Sequence, residues 1–238
     1  SSGGIATAMT EARRAVIAYS ARIGLVVSDV LLEGRRHTSR AALQKAVGLK
    51  RGDAMFGFDP QAIQARLAAL PWVRAATVQR RLPGTVHVRI AERRPTALWQ
   101  RDGRLALVDD EGVIITETDL GRYRGYLIVV GEDAPAHAAA LIGLLAAEPG
   151  LARRVNAAVR VGKRRWNLEL NGGIRVRLPE VDPHAAWRRL ARLQRQYKLL
   201  ARDVRTIDLR QPDRLIVETR SGRSPAVKAT GAAAGRRT

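Results

Sequence analysis

The most informative absence in this 238-residue sequence is cysteine, which does not occur at all. Without thiols the chain forms no disulfide and carries out no thiolate chemistry, although the cellular compartment stays open. No apolar run approaches the ~20 residues that cross a bilayer. The longest, Ala138 to Ala147, is too short and ends at Glu148. No secretory signal pattern is present either. The printed sequence therefore contains no disulfide framework and no predicted membrane span.

Patterns of catalytic or metal-binding residues are also missing. The histidines fall in different predicted elements, without the spacing of metal ligands: His37, His87, His137 and His184. The acidic cluster Asp109-Asp110-Glu111 falls at a predicted hairpin turn, which favours solvated turn residues over metal ligands. Serine is sparse and no nucleophile–base pair is suggested. We therefore predict that the protein is not an enzyme and has no cofactor, metal or small-molecule substrate.

Negative charge is scarce, since 42 basic residues face 22 acidic ones and the net charge is +20. Such a balance favours an anionic neighbour, which can be nucleic acid, an acidic protein or an anionic membrane surface. The arginines are scattered along the chain, so a solvated basic surface is also compatible with it. A nucleic-acid-binding module is one alternative, but neither a reading helix nor an aromatic platform accompanies the charge. We therefore predict no nucleic-acid partner.

The stretch from Asp59 to Pro95 carries a complete helix–hairpin pattern. Asp59 is suited to cap a helix, because its carboxylate can accept hydrogen bonds from the first main-chain N–H groups. Pro60 suits the first helical position, because the N–H that proline lacks has no partner within the helix there. After a turn at Leu82-Pro83-Gly84, a strand alternates with Val86, Val88 and Ile90 on one face. With an earlier strand near Val30 and a helix capped by Thr38 or Ser39, residues 26–94 read strand–helix–helix–strand–strand. This order predicts a small α+β domain.

The pattern after residue 95 is mainly that of β-strands. Hairpin turns are predicted at Asp102-Gly103 and Asn171-Gly172, and a basic turn at Lys163 to Arg165. Two helices interrupt the strands; the second starts at Asp182-Pro183 and has an apolar stripe that passes through Tyr197 to Leu200. We predict a mixed, mainly antiparallel β domain with two helices over residues 95–219, whose last strand is Leu215 to Thr219. Residues 220–238 are predicted to be a disordered tail.

Two sets of motifs now resemble a known family. The run LPWVRAATVQRRLPGTVHVRIAERRP, in its strand–helix–helix–hairpin context, resembles a POTRA domain. The runs ALWQRDGRLALVDDEGVII, VGKRRWNLELNGGIRVRLP and TIDLRQPDRLIV resemble the β domain of the bacterial cell-division family FtsQ/DivIB. POTRA hairpins alone also occur in secretion and outer-membrane assembly proteins, which remain an alternative. Such a protein needs a transmembrane barrel pattern, which the helix at 182–200 interrupts.

The resemblance implies a non-enzymatic scaffold of the division machinery. Such a protein is anchored in the inner membrane by one helix, here expected before Ser1, with its folded region in the periplasm and concentrated at the septum. Residues 1–25 are then a juxtamembrane helix or linker. The family also implies binding to the FtsB–FtsL coiled-coil pair, which couples early and late division proteins, by strand addition along the last strand.

The residues expected at that partner site follow from the same resemblance. They are Lys163, Arg164, Arg165, Arg210, Gln211, Leu215, Ile216 and Val217. Where relatives carry an aromatic residue directly after Asp-Leu-Arg, this chain has Gln211. The residues themselves agree with the type of site, because the last strand of an open sheet exposes unpaired main-chain groups. A strand covered on both sides within the domain is the alternative.

Overall fold

The computed structural model describes residues 11, 14–20 and 22–220, and the backbone of 227–228. It divides into two compact units, with the boundary between Arg93 and Arg94. Most of the predicted linker, 1–25, and of the predicted disordered tail, 220–238, lies outside the described residues, although residues 14–20 are helical.

The N-terminal unit has the predicted order of elements. They are β1 (Asp29–Glu33), α1 (Arg40–Val47), α2 (Pro60–Ala68), β2 (Val73–Arg81) and β3 (Thr85–Glu92). The sheet order is β1-β3-β2, with β1 parallel and β2 antiparallel to the central strand β3. The two helices supply the crossover that a parallel β1–β3 pair requires.

Local chemistry fixes where these helices begin and end. The side chain of Ser39 accepts a hydrogen bond from the Ala42 N–H at 3.0 Å, so Ser39, rather than Thr38, is the N-cap of α1. Asp59 caps α2 as predicted and accepts from the Gln61 N–H at 2.9 Å. Thr38 is buried and donates its hydroxyl to Glu92 at 2.6 Å, which ties the start of α1 to the end of β3.

The core of this unit lies between the helices and one face of the sheet. The helices contribute an apolar stripe and the strands their alternating apolar side chains, because neither element buries its apolar face alone. The largest fully buried side chains are Leu43, Met55, Ile63 and Leu67. The predicted inward set Val86, Val88 and Ile90 is confirmed as buried.

The C-terminal unit is a mixed sheet covered by helices, as predicted. The strands are β4 (Pro95–Arg101), β5 (Arg104–Asp109), β6 (Ile114–Thr116), β7 (Ile128–Val130), β8 (Val155–Val161), β9 (Arg165–Leu170), β10 (Ile174–Arg177), β11 (Val204–Asp208), β12 (Arg214–Thr219) and β13 (Val227–Lys228). The helices are α3 (Ala134–Ala146), the short α4 (Pro149–Ala152) and α5 (Pro183–Tyr197). Two 3-10 turns span Leu120–Tyr123 and Leu199–Ala201.

The strand order of this sheet explains why it is mixed. It runs β13-β12-β11-β10-β9-β8-β7-β4-β5-β6. Hairpins give the antiparallel pairs, whereas β4–β7, β7–β8 and β10–β11 are parallel. Between β7 and β8 the chain returns to the same end through α3 and α4, and between β10 and β11 it returns through α5. Trp187 of α5 is completely buried, and its indole Nε1 donates to the Leu145 carbonyl of α3 at 3.2 Å.

Several expectations about individual residues prove wrong. Asp109 is buried rather than solvated, because its carboxylate accepts from the main-chain N–H groups of Glu111 and Val113 at 3.0 and 2.8 Å. Tyr197, predicted to belong to the buried stripe of α5, is exposed, since the helix ends there. β12 is not the last strand, because β13 follows and pairs antiparallel with it.

Candidate partner-binding site

The topology brings part of the predicted site to one end of the large sheet. Across β9, β10, β11 and β12, Asn167, Arg177, Asp208 and Ile216 lie in one row. β9 begins beyond this row, β11 ends in it, and β12 begins beyond it on the same side. Residues 165, 210 and 215, far apart in sequence, therefore gather at this end of the sheet. We call it the β12 end.

A groove of about 540 Å³ opens at the β12 end. Arg165 and Arg210, both predicted site residues, line it together with the first turns of α5. Its other lining residues mix apolar and charged side chains: Pro179, Glu180, Val181, Asp182, Ala185, Ala186, Arg189, Arg192, Leu209 and Pro212. The groove can therefore accept an apolar side chain beside an acidic one.

Arg210 is held in place by a buried carboxylate. Its guanidinium donates to both oxygens of Asp208, with Nε 2.9 Å from each and a terminal nitrogen 2.6 Å from Oδ2. Arg177 approaches the same carboxylate at 3.5 Å. Burial acts to raise the pKa of Asp208, but the hydrogen bonds and charge of Arg210, with the charge of Arg177, outweigh it and lower that pKa. Asp208 is thus ionised at neutral pH and fixes the direction of Arg210.

The predicted basic turn between β8 and β9 does not act as one patch. The ammonium of Lys163 lies 2.9 Å from the carboxylate of Glu132, whose hydrogen bond and charge raise the pKa of the lysine. Arg164 lies 3.8 Å from Glu180. Arg165 differs, because its buried Nε–H donates no hydrogen bond among the described residues. Of the three, Arg165 is the residue that lines the groove.

The side chains of β12 alternate between core and surface. Leu215 and Val217 are buried in the domain core, whereas Ile216 is 42% exposed on the opposite face. The prediction of an open outer edge is wrong at the start of the strand, because Arg214 pairs with Lys228 and Leu215 with Val227. A segment of the chain's own C-terminal region therefore occupies this part of the edge.

Sequence reasoning missed Arg189, which organises the turn between β11 and β12. From α5, its guanidinium donates to the main-chain carbonyl of Gln211 at 2.9 Å and to that of Pro212. Longer contacts of 3.5 Å reach the carbonyls of Leu209 and Arg214. The only sequence signal was its position on the arginine-rich side of the predicted helix, which the neighbouring arginines share.

The described part of the chain contains neither a metal-binding cluster nor a membrane-spanning helix. No group of three or more His, Cys, Asp or Glu side chains there could hold a metal ion. No helix among the same residues is both long and apolar enough to cross a bilayer.

Comparison with known proteins matches both units to one family. The family model "Cell division protein FtsQ/DivIB, C-terminal" covers residues 97–210, and "POTRA domain, FtsQ-type" covers residues 25–93. The match favours the division family over the secretion and nucleic-acid alternatives. This family is not a known family of enzymes.

Individual relatives extend the match over most of the chain. "Cell division protein FtsQ" of Bradyrhizobium diazoefficiens is 36% identical over 89% of this chain and 61% of its own length. The protein of the same name in Agrobacterium fabrum is 35% identical over 84% of this chain and 63% of its own length. That of Caulobacter vibrioides is 34% identical over 90% of this chain and 70% of its own length. The chain thus spans less than two thirds of the first two relatives. With both family models and these relatives in agreement, the chain belongs to the FtsQ/DivIB family of bacterial cell-division proteins.

Proposed function

We propose that this chain is the periplasmic region of a single-pass inner-membrane protein that acts as a non-enzymatic scaffold at the division septum. Membership of a cell-division family supports this proposal. Sheet edges and neighbouring grooves are features through which proteins bind extended segments of partners. A fluorescent fusion of the full-length protein should concentrate at the septum; uniform distribution along the envelope would contradict the scaffold role.

The partner we propose is an FtsB–FtsL-type coiled-coil pair, bound by strand addition at the β12 end. The observation that carries this proposal is the convergence of the start of β12, the exposed Ile216 and the arginine-lined groove at one end of the sheet. Main-chain hydrogen bonds of an added strand supply affinity, and neighbouring pockets supply specificity. In this arrangement the partner strand takes the place of β13 along Arg214 and Leu215.

The charges of the β12 end favour an acidic segment in the partner. Arg165 and Arg192 line the groove, and Arg210 stands at its edge with its direction set by Asp208. Surface charges of this kind mainly raise the association rate and make it depend on salt. Lys163 should contribute less than Arg165, because Glu132 already neutralises it.

The first experiment titrates a soluble FtsB–FtsL-type complex against the chain and its Ile216→Glu variant. The change places a charge on an exposed side chain, so the domain should fold normally, which circular dichroism checks. We expect affinity to fall at least about tenfold, a loss of about 1.4 kcal/mol. Ile114→Glu is the matched control, since Ile114 is 41% exposed on β6 at the far end of the same sheet. Equal affinity for both variants and the parent would place the site elsewhere.

A second titration separates the roles of the basic residues. Arg165→Glu should slow association and make its rate depend less on salt, whereas Lys163→Glu should change both only weakly. Lys163 lies in the short connection between β8 and β9 and Arg165 is the first residue of β9, so each is the other's control. A larger effect for Lys163 would mean that the partner approaches from the Glu132 side and not through the groove.

A further inference from the structure

The N-terminal unit has an open, partly apolar sheet edge of its own. β1 is an end strand of the three-stranded sheet, and within the described residues no strand pairs with its outer side. At its centre Val30 is 39% and Leu31 50% exposed. An edge strand with unpaired main-chain groups and exposed apolar side chains can pair with another strand.

The opposite edge of the same sheet is protected in the usual way. The exposed positions of β2 are Arg74, Ala75, Thr77, Gln79 and Arg81, none of which carries a large apolar side chain. Charged side chains on an edge strand discourage pairing with other chains. The apolar centre of β1 is therefore a property of this edge and not of the whole sheet.

A groove of about 390 Å³ runs beside the β1 edge. Its apolar walls come from the strand and from α1 with the residue that follows the helix cap: Val30, Leu32, Leu43, Val47 and Leu49. Its polar lining consists of Arg35, Arg40 and Gln44, without any acidic residue. The volume lies within the ~300–1,000 Å³ of typical ligand sites.

The carboxylates of β1 itself do not neutralise this groove. Glu33 lies 3.0 Å from His87 and 3.3 Å from Arg89, and these contacts, first that of His87, lower its pKa. Asp29 lies 3.4 Å from Arg51. Neither acid lines the groove, so its two guanidinium groups present net positive charge beside apolar walls.

We propose that the β1 edge is a second docking site, which takes an extended acidic segment of a partner protein as an added strand. Its main chain pairs with β1, its apolar side chains enter the groove, and its carboxylates meet Arg35 and Arg40. This site is independent of the β12 end, because it lies in the other unit.

A second copy of this chain is a poor occupant for the same edge. Antiparallel pairing of two β1 strands about their centres sets Asp29 against Glu33, and in-register parallel pairing sets each acid beside its equivalent. Like charges opposite each other destabilise paired strands. The partner strand should therefore lack acidic residues facing those two positions and carry them toward Arg35 and Arg40 instead.

The test uses a labelled synthetic peptide of about nine residues, within the roughly 3–10 residues of ordinary strands. Five central valines can pair with β1, and two glutamates at either end lie beyond Asp29 and Glu33. Fluorescence anisotropy should show saturable binding to the chain and none for the peptide in which lysine replaces glutamate. Val30→Glu and Arg40→Glu should each weaken binding at least about tenfold. Val113→Glu is the control, since Val113 is 40% exposed but lies outside this groove.

Three outcomes would overturn the proposal. The first is that the glutamate peptide shows no saturable binding, and the second is that the lysine peptide binds equally well. The third is that the Val30→Glu and Arg40→Glu variants stay folded by circular dichroism yet bind the glutamate peptide like the parent. Self-association abolished by Val30→Glu would also overturn it in favour of a second copy. Binding that persists in the Ile216→Glu variant supports the proposal and shows that the peptide does not use the β12 end.

Discussion

Replacing Arg189 with methionine should loosen the turn that presents the β12 end. Methionine keeps an unbranched apolar side chain but removes every donor to the carbonyls of residues 209–214. The turn residues Gln211 and Pro212 are exposed, so water can take over as donor to their carbonyls. The main effect should therefore be local opening of the turn rather than collapse of the core.

The structure sets the size of this effect. Two of the four contacts are short enough to be full hydrogen bonds, and two at 3.5 Å add little. A hydrogen bond from a charged donor contributes about 1.5–3 kcal/mol, and solvation of the released carbonyls offsets part of it. We expect a net cost of about 1–2 kcal/mol, which corresponds to a roughly 5- to 30-fold increase in the open population of the turn.

Hydrogen exchange of the amides in residues 210–214 measures this population directly. In Arg189→Met these amides should exchange about 5- to 30-fold faster, while those of β8 and β9 stay near parental rates. Arg188→Met is the matched control, an exposed neighbour on the same helix whose side chain makes no hydrogen bond or ion pair among the residues described. If the turn amides of Arg189→Met exchange at parental rates, the guanidinium does not hold the turn and our assignment of its role is refuted.

Three further predictions concern the same unit. Asp208→Asn should reduce the loss of unfolding free energy at acid pH. Because folding lowers the pKa of Asp208, its carboxylate stabilises the fold above the ordinary pKa of 3.8, and this stabilisation is lost as pH falls through the lower pKa of the folded state. Urea unfolding followed by tryptophan fluorescence between pH 2 and pH 6 checks this, in a Trp72→Phe background that removes the tryptophan of the N-terminal unit. If the unfolding free energies of variant and parent change with pH in parallel, the prediction is contradicted. Trp187→Phe should cost about 2–3 kcal/mol by loss of the Leu145 hydrogen bond and of ring volume, and an unchanged urea midpoint would contradict it. Ending the chain after Arg220 removes β13 and should raise partner affinity about fivefold, roughly 1 kcal/mol; unchanged or weaker binding in a titration would show that β13 does not compete.

Local signals in the sequence predicted the elements well. Asp59 followed by Pro60 predicts the start of a helix, with Asp59 as the N-cap and Pro60 as the first helical residue, and the structure confirms it. The alternation through Val86, Val88 and Ile90 likewise fixes which face of β3 is buried. The α+β class and the resemblance to the FtsQ/DivIB family both followed from such local patterns and are confirmed.

What the sequence could not show depends on contacts between distant residues. Arg189 lies more than twenty positions from the turn it holds, and three other arginines on α5 share its sequence environment. His87 shares its face of β3 with the exposed Arg89, yet it is buried, with Glu33 3.0 Å away and Leu31 and Gln79 opposite it on the neighbouring strands. β13 has only two residues in a stretch of low-complexity composition, too short for any alternation to be visible.

The same limit applies to the candidate site. Asp208 and Arg210 are two residues apart, so their pairing is a local feature that a strand end favours. The separation of Lys163 from the groove was invisible, because its partner Glu132 lies in a distant loop. Basic residues that are consecutive in sequence do not form one charged patch when separate acidic residues pair with some of them.

Hydrogen exchange of the chain with and without a soluble FtsB–FtsL-type complex tests the central claim most directly. Strand addition at the β12 end predicts slower exchange in the main-chain amides of Arg214–Thr219 and in the turn that precedes them, with no change in β5 and β6 at the far end of the sheet. Protection confined to the N-terminal unit or to β6, with β12 unchanged in a complex shown to form, would contradict the account.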